Sequence, residues 1–199
     1  MIAGFAQLQT VENALVPDLV HAAGVDWLVE LAPASSPSPA LRAPRHRMLT
    51  DRDGWVWPCR LPSNLLPFQD ESLPAILVRH LFWLDFAPAL LAECIRCLKP
   101  GGLLVSVSAN PWHRGSWTEL GRHALQLPAW PRFLMQHGRY DLLLEVPARA
   151  RLSGMVPGIS PLLVVAGRKP PRGTRVRRLE FGRVVRPGPR VLPTTCRAA

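Results

Sequence analysis

The apolar positions of this chain change period along its length, and each change marks an element. In the first 25 or so residues, Phe5, Leu8, Val11, Leu15 and Leu19 recur every three to four positions, the period of one helix face, with Pro17 interrupting the run. Residues 28–31, 75–80 and 103–109 are instead mostly apolar without alternation, as strands covered on both faces must be. Residues 46–50 read as a further short strand. Between the second and third apolar runs, Pro88 suits the first turn of a helix capped near Asp85 or Phe86, with Leu90, Leu91, Cys94, Ile95 and Leu98 as its inward stripe. Lys99-Pro100-Gly101-Gly102 closes that helix: the lysine suits its negative end, proline cannot continue it, and glycine accepts positive φ. Turn, strand, helix, glycine turn and strand in that order make half of a parallel α/β sheet.

Composition narrows the class. The 199 residues are 48% hydrophobic and 19% charged, ordinary for one globular domain with a sizeable core. No apolar run approaches the roughly 20 residues of a membrane helix, and the first residues lack a basic signal-peptide start, so a cytoplasmic address is expected. Cys94 and Cys97 form a C-x-x-C late in the predicted helix, without a second ligand pair, and read as helix packing. His80, His113, His123 and His137 have no spacing that makes a metal site, and no Ser-His-Asp set, phosphate-cradling loop or carboxylate pair stands out. The formal charge of +10 is concentrated at one end. From Arg168 onward, Lys or Arg occupies 168, 169, 172, 175, 177, 178, 183, 186, 190 and 197 against the single acid Glu180. The predicted organisation is a helical segment over 1–25, a domain over 26–169, and a basic tail over 170–199 whose prolines forbid a continuous helix.

The central stretch also resembles a known family. Leu66, Pro67, Phe68, Asp70, Ser72, His80, Phe82, Glu93, Arg96, Leu98, Lys99, Pro100, Gly101 and Gly102 match, in order, the carboxyl half of a class I S-adenosylmethionine (SAM) dependent methyltransferase of the type 11 kind. Leu73-Pro74 replaces that family's usual Phe-Asp. The resemblance implies a doubly wound, Rossmann-like α/β sheet of about seven strands, with residues 28–31, 76–79 and 103–107 central and buried. It further implies a final antiparallel pair at the sheet edge, residues 140–146 and 161–166. Asn110-Pro111-Trp112 is similar to a turn of part of this group, and residues 113–138 read as an insert covering a substrate pocket.

The cofactor half departs from the pattern. Leu28-Val29-Glu30-Leu31 align with the first strand of the family, with Glu30 in its acidic place, but Ala32, Ala34 and Ser36 stand where three glycines are usual. Alanine resists positive φ, and its methyl intrudes where a ligand needs close backbone approach. Pro33, Pro37, Pro39 and Pro44 preclude the usual first helix, so the crossover is expected as coil and the first helix as reduced. Asp51, just beyond the second strand, occupies the place that grips ribose hydroxyls in the family, although turn chemistry favours reading it as part of a solvated Asp-Arg-Asp-Gly turn. Asn64 is the nearest polar substitute for an adenine contact, and His80 lies where the fourth strand opens toward the cofactor.

The resemblance therefore implies a SAM-dependent methyltransferase with Glu30, Ala32, Ala34, Asp51, Asn64 and His80 toward S-adenosyl-L-methionine, no metal, and a small-molecule acceptor. Methyl transfer needs orientation more than titratable groups, so no catalytic residue is assigned. The alternative is a catalytically silent relative that binds or scaffolds, with its tail associating with nucleic acid or another polyanion. Oligomeric state is open.

Overall fold

The computed structural model describes residues 6–51, 54–62, 65–81, 87–145 and 160–171. Among these residues a seven-stranded sheet runs in the order β3-β2-β1-β4-β5-β7-β6. Its strands are β1 (Leu28–Pro33), β2 (Arg45–Thr50), β3 (Trp55–Trp57), β4 (Leu73–Arg79), β5 (Leu98–Ala109), β6 (Leu143–Glu145) and β7 (Leu162–Arg168). The neighbours β2, β1, β4 and β5 are parallel, whereas β3, β7 and β6 pair antiparallel. The three apolar runs are central and buried, as their composition requires: β1, β4 and β5 occupy the middle of the sheet.

Among the described residues four helices cover the two faces: α1 (Ala6–Ala22), α2 (Ala87–Cys97), α3 (Arg114–Leu120) and α4 (Trp130–Gly138), with a 3-10 turn over Gly121–Gln126. One face packs Val29, Leu31, Met48, Ile76 and Val78 against Leu90, Leu91 and Cys94 of α2 and Phe133 of α4. The other packs Leu28, Ala75, Leu77, Leu103 and Val105 against Leu8, Val16, Leu19 and Val20 of α1 and Leu120 of α3. Residues 113–138, read as an insert, place Leu120 in one core and Phe133 in the other. They form the β5-to-β6 crossover, and its two helices land on opposite faces because their apolar stripes find different cores.

The family-like residues around α2 act together as a structural unit. Arg96 reaches the carbonyls of Leu66 and Phe68 at 3.2 and 3.0 Å, pairs with Asp70, and lies 2.8 Å from Glu93, which itself accepts the Leu66 N–H at 3.2 Å. The hydrogen bond from Arg96 holds the Glu93 carboxyl below its usual range. Leu98 begins β5 rather than ending α2. Gly101 has φ 76°, and a Cβ on Gly102 would stand 2.8 Å from the Lys99 carbonyl oxygen, so both glycines are required. Lys99 is exposed; it is Lys169, at the end of β7, that caps α2 by donating to the carbonyls of Ile95 and Leu98 at 2.8 Å each.

The β1-to-β2 crossover contains no helix over residues 34–44, as its prolines dictate. Cys94 and Cys97 are both buried, which raises the Cys94 thiol and pushes Cys97 up to about 11. The proposed helix cap at Asp85 or Phe86 lies outside the described residues, as does the tail beyond Pro171.

Candidate functional site

In an open parallel sheet the chain leaves β1 toward one side and β4 toward the other, and the carboxyl ends of these strands diverge into a crevice. Here that switch point lies between β1 and β4, so the site is bounded by residues following Pro33, Thr50, Arg79 and Ala109.

A buried charge network lines the α1 side of this switch point. Alternation along β1 and β4 turns Glu30 and Arg79 to that side, and the helical period of α1 brings Glu12 onto them. Arg79 donates through Nε and Nη2 to the two carboxylate oxygens of Glu12 at 2.5 and 2.7 Å, and through Nη1 to Glu30 at 2.7 Å. The second oxygen of Glu30 accepts from Ser38 at 2.8 Å and lies 3.4 and 3.3 Å from the Nε atoms of Arg45 and Arg47. Burial alone would raise the Glu12 pKa, but hydrogen bonds from Arg79 and His80 outweigh it and bring the group to about 2. A charged Glu12 and a charged Arg79 therefore sustain each other in a region where neither would be stable alone.

His80 marks the end of β4. Its backbone is left-handed, with φ 52°, while its N–H still donates to the Val107 carbonyl at 2.8 Å. The next residue on an alternating strand would face α2; the left-handed turn instead sets Nε2 at 3.4 Å from Glu12 on the α1 side. Strained non-glycine backbone of this kind is stored where surrounding contacts over-determine it.

The sequence candidates separate accordingly. Glu30 and His80 meet in one network through Glu12 and Arg79. Glu30 is fully buried, and its oxygens are engaged by Arg79, Ser38, Arg45 and Arg47. Ala32 is also fully buried, and Ala34 is exposed at the turn. Neither takes the positive φ that would penalise alanine: among the described residues only Glu71, His80 and Asp141 do so outside glycine. The turn is closed instead by the Ala34 N–H donating to the Thr50 carbonyl and the Ser36 N–H to the Pro33 carbonyl, both at 2.9 Å. Asp51 is exposed at the carboxyl end of β2, and its N–H donates to the Gly54 carbonyl at 3.0 Å. Asn64 lies outside the described residues.

Glu12, Arg79, Arg45 and Arg47 were not among those candidates, although the signal was present. Glu12 falls four residues after Leu8 and four before Val16 on the apolar face of α1, and Arg79 ends an otherwise apolar strand. A charge in such a place needs a partner. The Asn110-Pro111-Trp112 turn is held by Asn110, whose Nδ2 donates to the Ser160 carbonyl at 2.9 Å and whose Oδ1 accepts from the Trp112 N–H at 3.0 Å. Trp112 is 73% exposed beyond it. His137 is buried with Nδ1 donating to the Phe133 carbonyl at 2.7 Å, which leaves Nε2 to accept from Ser106 at 2.8 Å. Burial lowers its pKa, so this pair is a neutral packing contact. Among the described residues no cluster of His, Cys, Asp or Glu is arranged to hold a metal ion, and no helix is long and apolar enough to cross a membrane.

Residues 46–106 match the family described as a methyltransferase domain, the type 11 group. The match begins at β2, after the turn that lacks the glycines. Among curated protein sequences nothing matches the chain. A SAM-dependent methyltransferase from Aquifex aeolicus superposes with a TM-score of 0.55 at 11% identity, covering 80% of this chain and 93% of that one. A geranyl diphosphate C-methyltransferase from Streptomyces coelicolor A3(2), solved with Mg2+, geranyl diphosphate and S-adenosyl-L-homocysteine, gives 0.50 at 14% identity, covering 82% and 81%. A geranyl diphosphate methyltransferase in complex with SAM gives 0.50 at 14% identity, covering 82% and 88%. At such identities the likeness establishes the fold.

Proposed function

We propose that this chain, a class I SAM-dependent methyltransferase by fold and by the family its residues 46–106 match, binds SAM at the β1–β4 switch point and transfers its methyl group to a small-molecule acceptor. The observation that carries this reading is the sheet order β3-β2-β1-β4-β5-β7-β6 with its parallel centre, which opens a crevice over the carboxyl ends of β1, β2 and β4. The residues present fit a nucleoside cofactor at the β2 end, where the exposed Asp51 carboxylate suits ribose hydroxyls. The amino-acid end would lie over the β1 turn, Pro33 to Ser36, where the Ala34 and Ser36 N–H groups are engaged within the protein and side chains must supply the contacts. Glu30 does not fit as a contact, because its oxygens are engaged inside the protein. Bound there, the cofactor supplies a methyl group already activated by the sulfonium. The chain's part is to hold donor and acceptor in line and to exclude water, for which no acid–base pair is needed.

A second reading, a silent binding module, is favoured by one observation. The Ala34 and Ser36 N–H groups donate to Thr50 and Pro33, so they are not left to meet a ligand. Calorimetry with SAM and S-adenosyl-L-homocysteine, together with melting curves, separates the two. Saturating ligand at about 100 times Kd raises stability by about 2.7 kcal/mol if the site binds. A flat melting curve and no heat of binding favour the silent module. For the tail beyond Pro171, polyanion binding is the proposed role. Truncation after Lys169 should then abolish low-salt retention on heparin, and unchanged retention refutes it.

A further inference from the structure

We infer that Arg47, assisted by Arg45, is the carboxylate-recognition element of this site and takes the place of the positive helix end that the coil crossover lacks. The inference rests on the reading of the site as one for a SAM-type ligand, and it concerns residues that the match to the family pattern assigns to no ligand.

Three observations converge on it. The first is placement. Arg45 and Arg47 alternate on β2 opposite Leu28 and Glu30 of β1, so both project from the sheet face that the crossover coil covers. A crossover helix on this face would direct its amino end, with its unpaired N–H groups and partial positive charge, at the turn after β1. In its place Arg47 reaches that turn, its Nη2 donating to the Ser36 carbonyl at 3.0 Å.

The second is charge. Three guanidinium groups, Arg45, Arg47 and Arg79, share two carboxylates, Glu12 and Glu30. Arg79 is 1% exposed and bidentate on Glu12, so its charge is matched inside the core. Glu30 matches one more. The surplus positive charge falls on the outer pair, whose side chains are 24% and 31% exposed, and the Glu30 carboxylate beneath them has no exposed surface with which to offset an incoming anion.

The third is geometry of recognition. A guanidinium offers several donors in a planar fork that suits a carboxylate, and this one is oriented by the Nη2 hydrogen bond to Ser36, with its Nε 3.3 Å from the Glu30 carboxylate. The anion that a SAM-type ligand brings to the β1 turn is the carboxylate of its amino-acid portion.

The test is calorimetry of the full chain with two ligands that share the thioether nucleoside: S-adenosyl-L-homocysteine, which carries the amino-acid portion, and 5′-methylthioadenosine, which does not. A hydrogen bond to a charged group contributes about 1.5–3 kcal/mol, or roughly 10- to 100-fold in affinity. The wild-type chain should therefore bind the homocysteine ligand at least about tenfold more tightly, with the ratio shrinking as salt is raised. Arg47→Gln should lose about tenfold for that ligand and leave methylthioadenosine unchanged, Arg47→Lys should recover part of the loss, and Arg45→Gln should lose less. Equal losses for both ligands would show that Arg47 only shapes the turn and would overturn the inference. Equal affinities of the wild-type chain for the two ligands would overturn it without any variant, so the test survives if Arg47→Gln fails to fold. Binding of neither ligand would refute the underlying reading of the site, and this inference with it.

Discussion

Two crossovers on the same sheet connect parallel strands by different means. Between β4 and β5 the link is α2, whose Leu90, Leu91 and Cys94 bury against the sheet, while Arg96 and Glu93 tie its far side to Leu66 and Phe68. Between β1 and β2 the link is coil, and it is fastened to the sheet by Glu30 and Arg47 through Ser38 and Ser36. The first crossover is held by apolar burial with charge at its rim; the second is pinned by charges that start inside. A proline-rich link cannot satisfy its own backbone as a helix does, so side chains from the strands supply the contacts. The lesson is that the β1–β2 side of this sheet depends on ionic groups, and removing one of them leaves an unpaired buried charge where an apolar truncation leaves a cavity.

The largest effect that would test this contrast is Arg79→Ala. It leaves Glu12 and Glu30 buried without their shared cation and should lower stability by about 3–5 kcal/mol in urea unfolding. Replacing all three with Gln, Gln and Met should lose far less, and an equal loss would mean the ion bridge is not the cause. On the apolar crossover, Leu91→Ala should lose about 2–5 kcal/mol with no dependence on pH.

Acid sharpens the comparison. Glu12 titrates near 2 in the folded chain against 4.5 in its ordinary state, so its contribution is complete above about 4.5 and disappears as pH falls toward 2. That contribution is on the order of 3 kcal/mol. Denaturant unfolding should show wild type and Leu91→Ala losing stability in parallel over this window, whereas Glu12→Gln, already weakened, should show a shallower slope. The smallest expected effect is at the turn. Since Ala32 is in a strand without positive φ, Ala32→Gly should cost about 0.5–1 kcal/mol and bring no gain in SAM affinity. A tighter-binding glycine variant would show that the alanine methyl had been blocking the ligand.

How much of this could be read from the chain depended on whether a residue's role was local. Apolar runs located β1, β4 and β5, because continuous burial leaves a continuous trace. The prolines of residues 33–44 foretold the missing helix for an equally local reason. The ends of α2 were harder: Lys99 stood in the expected place for a helix cap, yet the cap came from Lys169, which no local pattern reveals. The site was harder still. Glu30 was recognised by its place in the strand but its partners were not, because Glu12 and Arg79 are 67 residues apart in sequence and become neighbours only when α1 lies on the sheet. The alanines were read as strained against a glycine turn, whereas the chain builds a different turn in which they are not.

The Lys169 contact also has a temporal side. Its partners, Ile95 of α2 and Leu98 at the start of β5, lie 74 and 71 residues earlier, and among the described residues β6 pairs with β7, which is made after it. A chain emerging from the ribosome therefore has β4, α2 and β5 in hand while one edge of β5 still lacks its neighbour and the helix end its cap. Until residues 162–169 arrive and slot between β5 and β6, that open edge is a template for pairing with other nascent chains. Interrupting synthesis in the 150s should accordingly yield aggregates rather than a smaller folded domain.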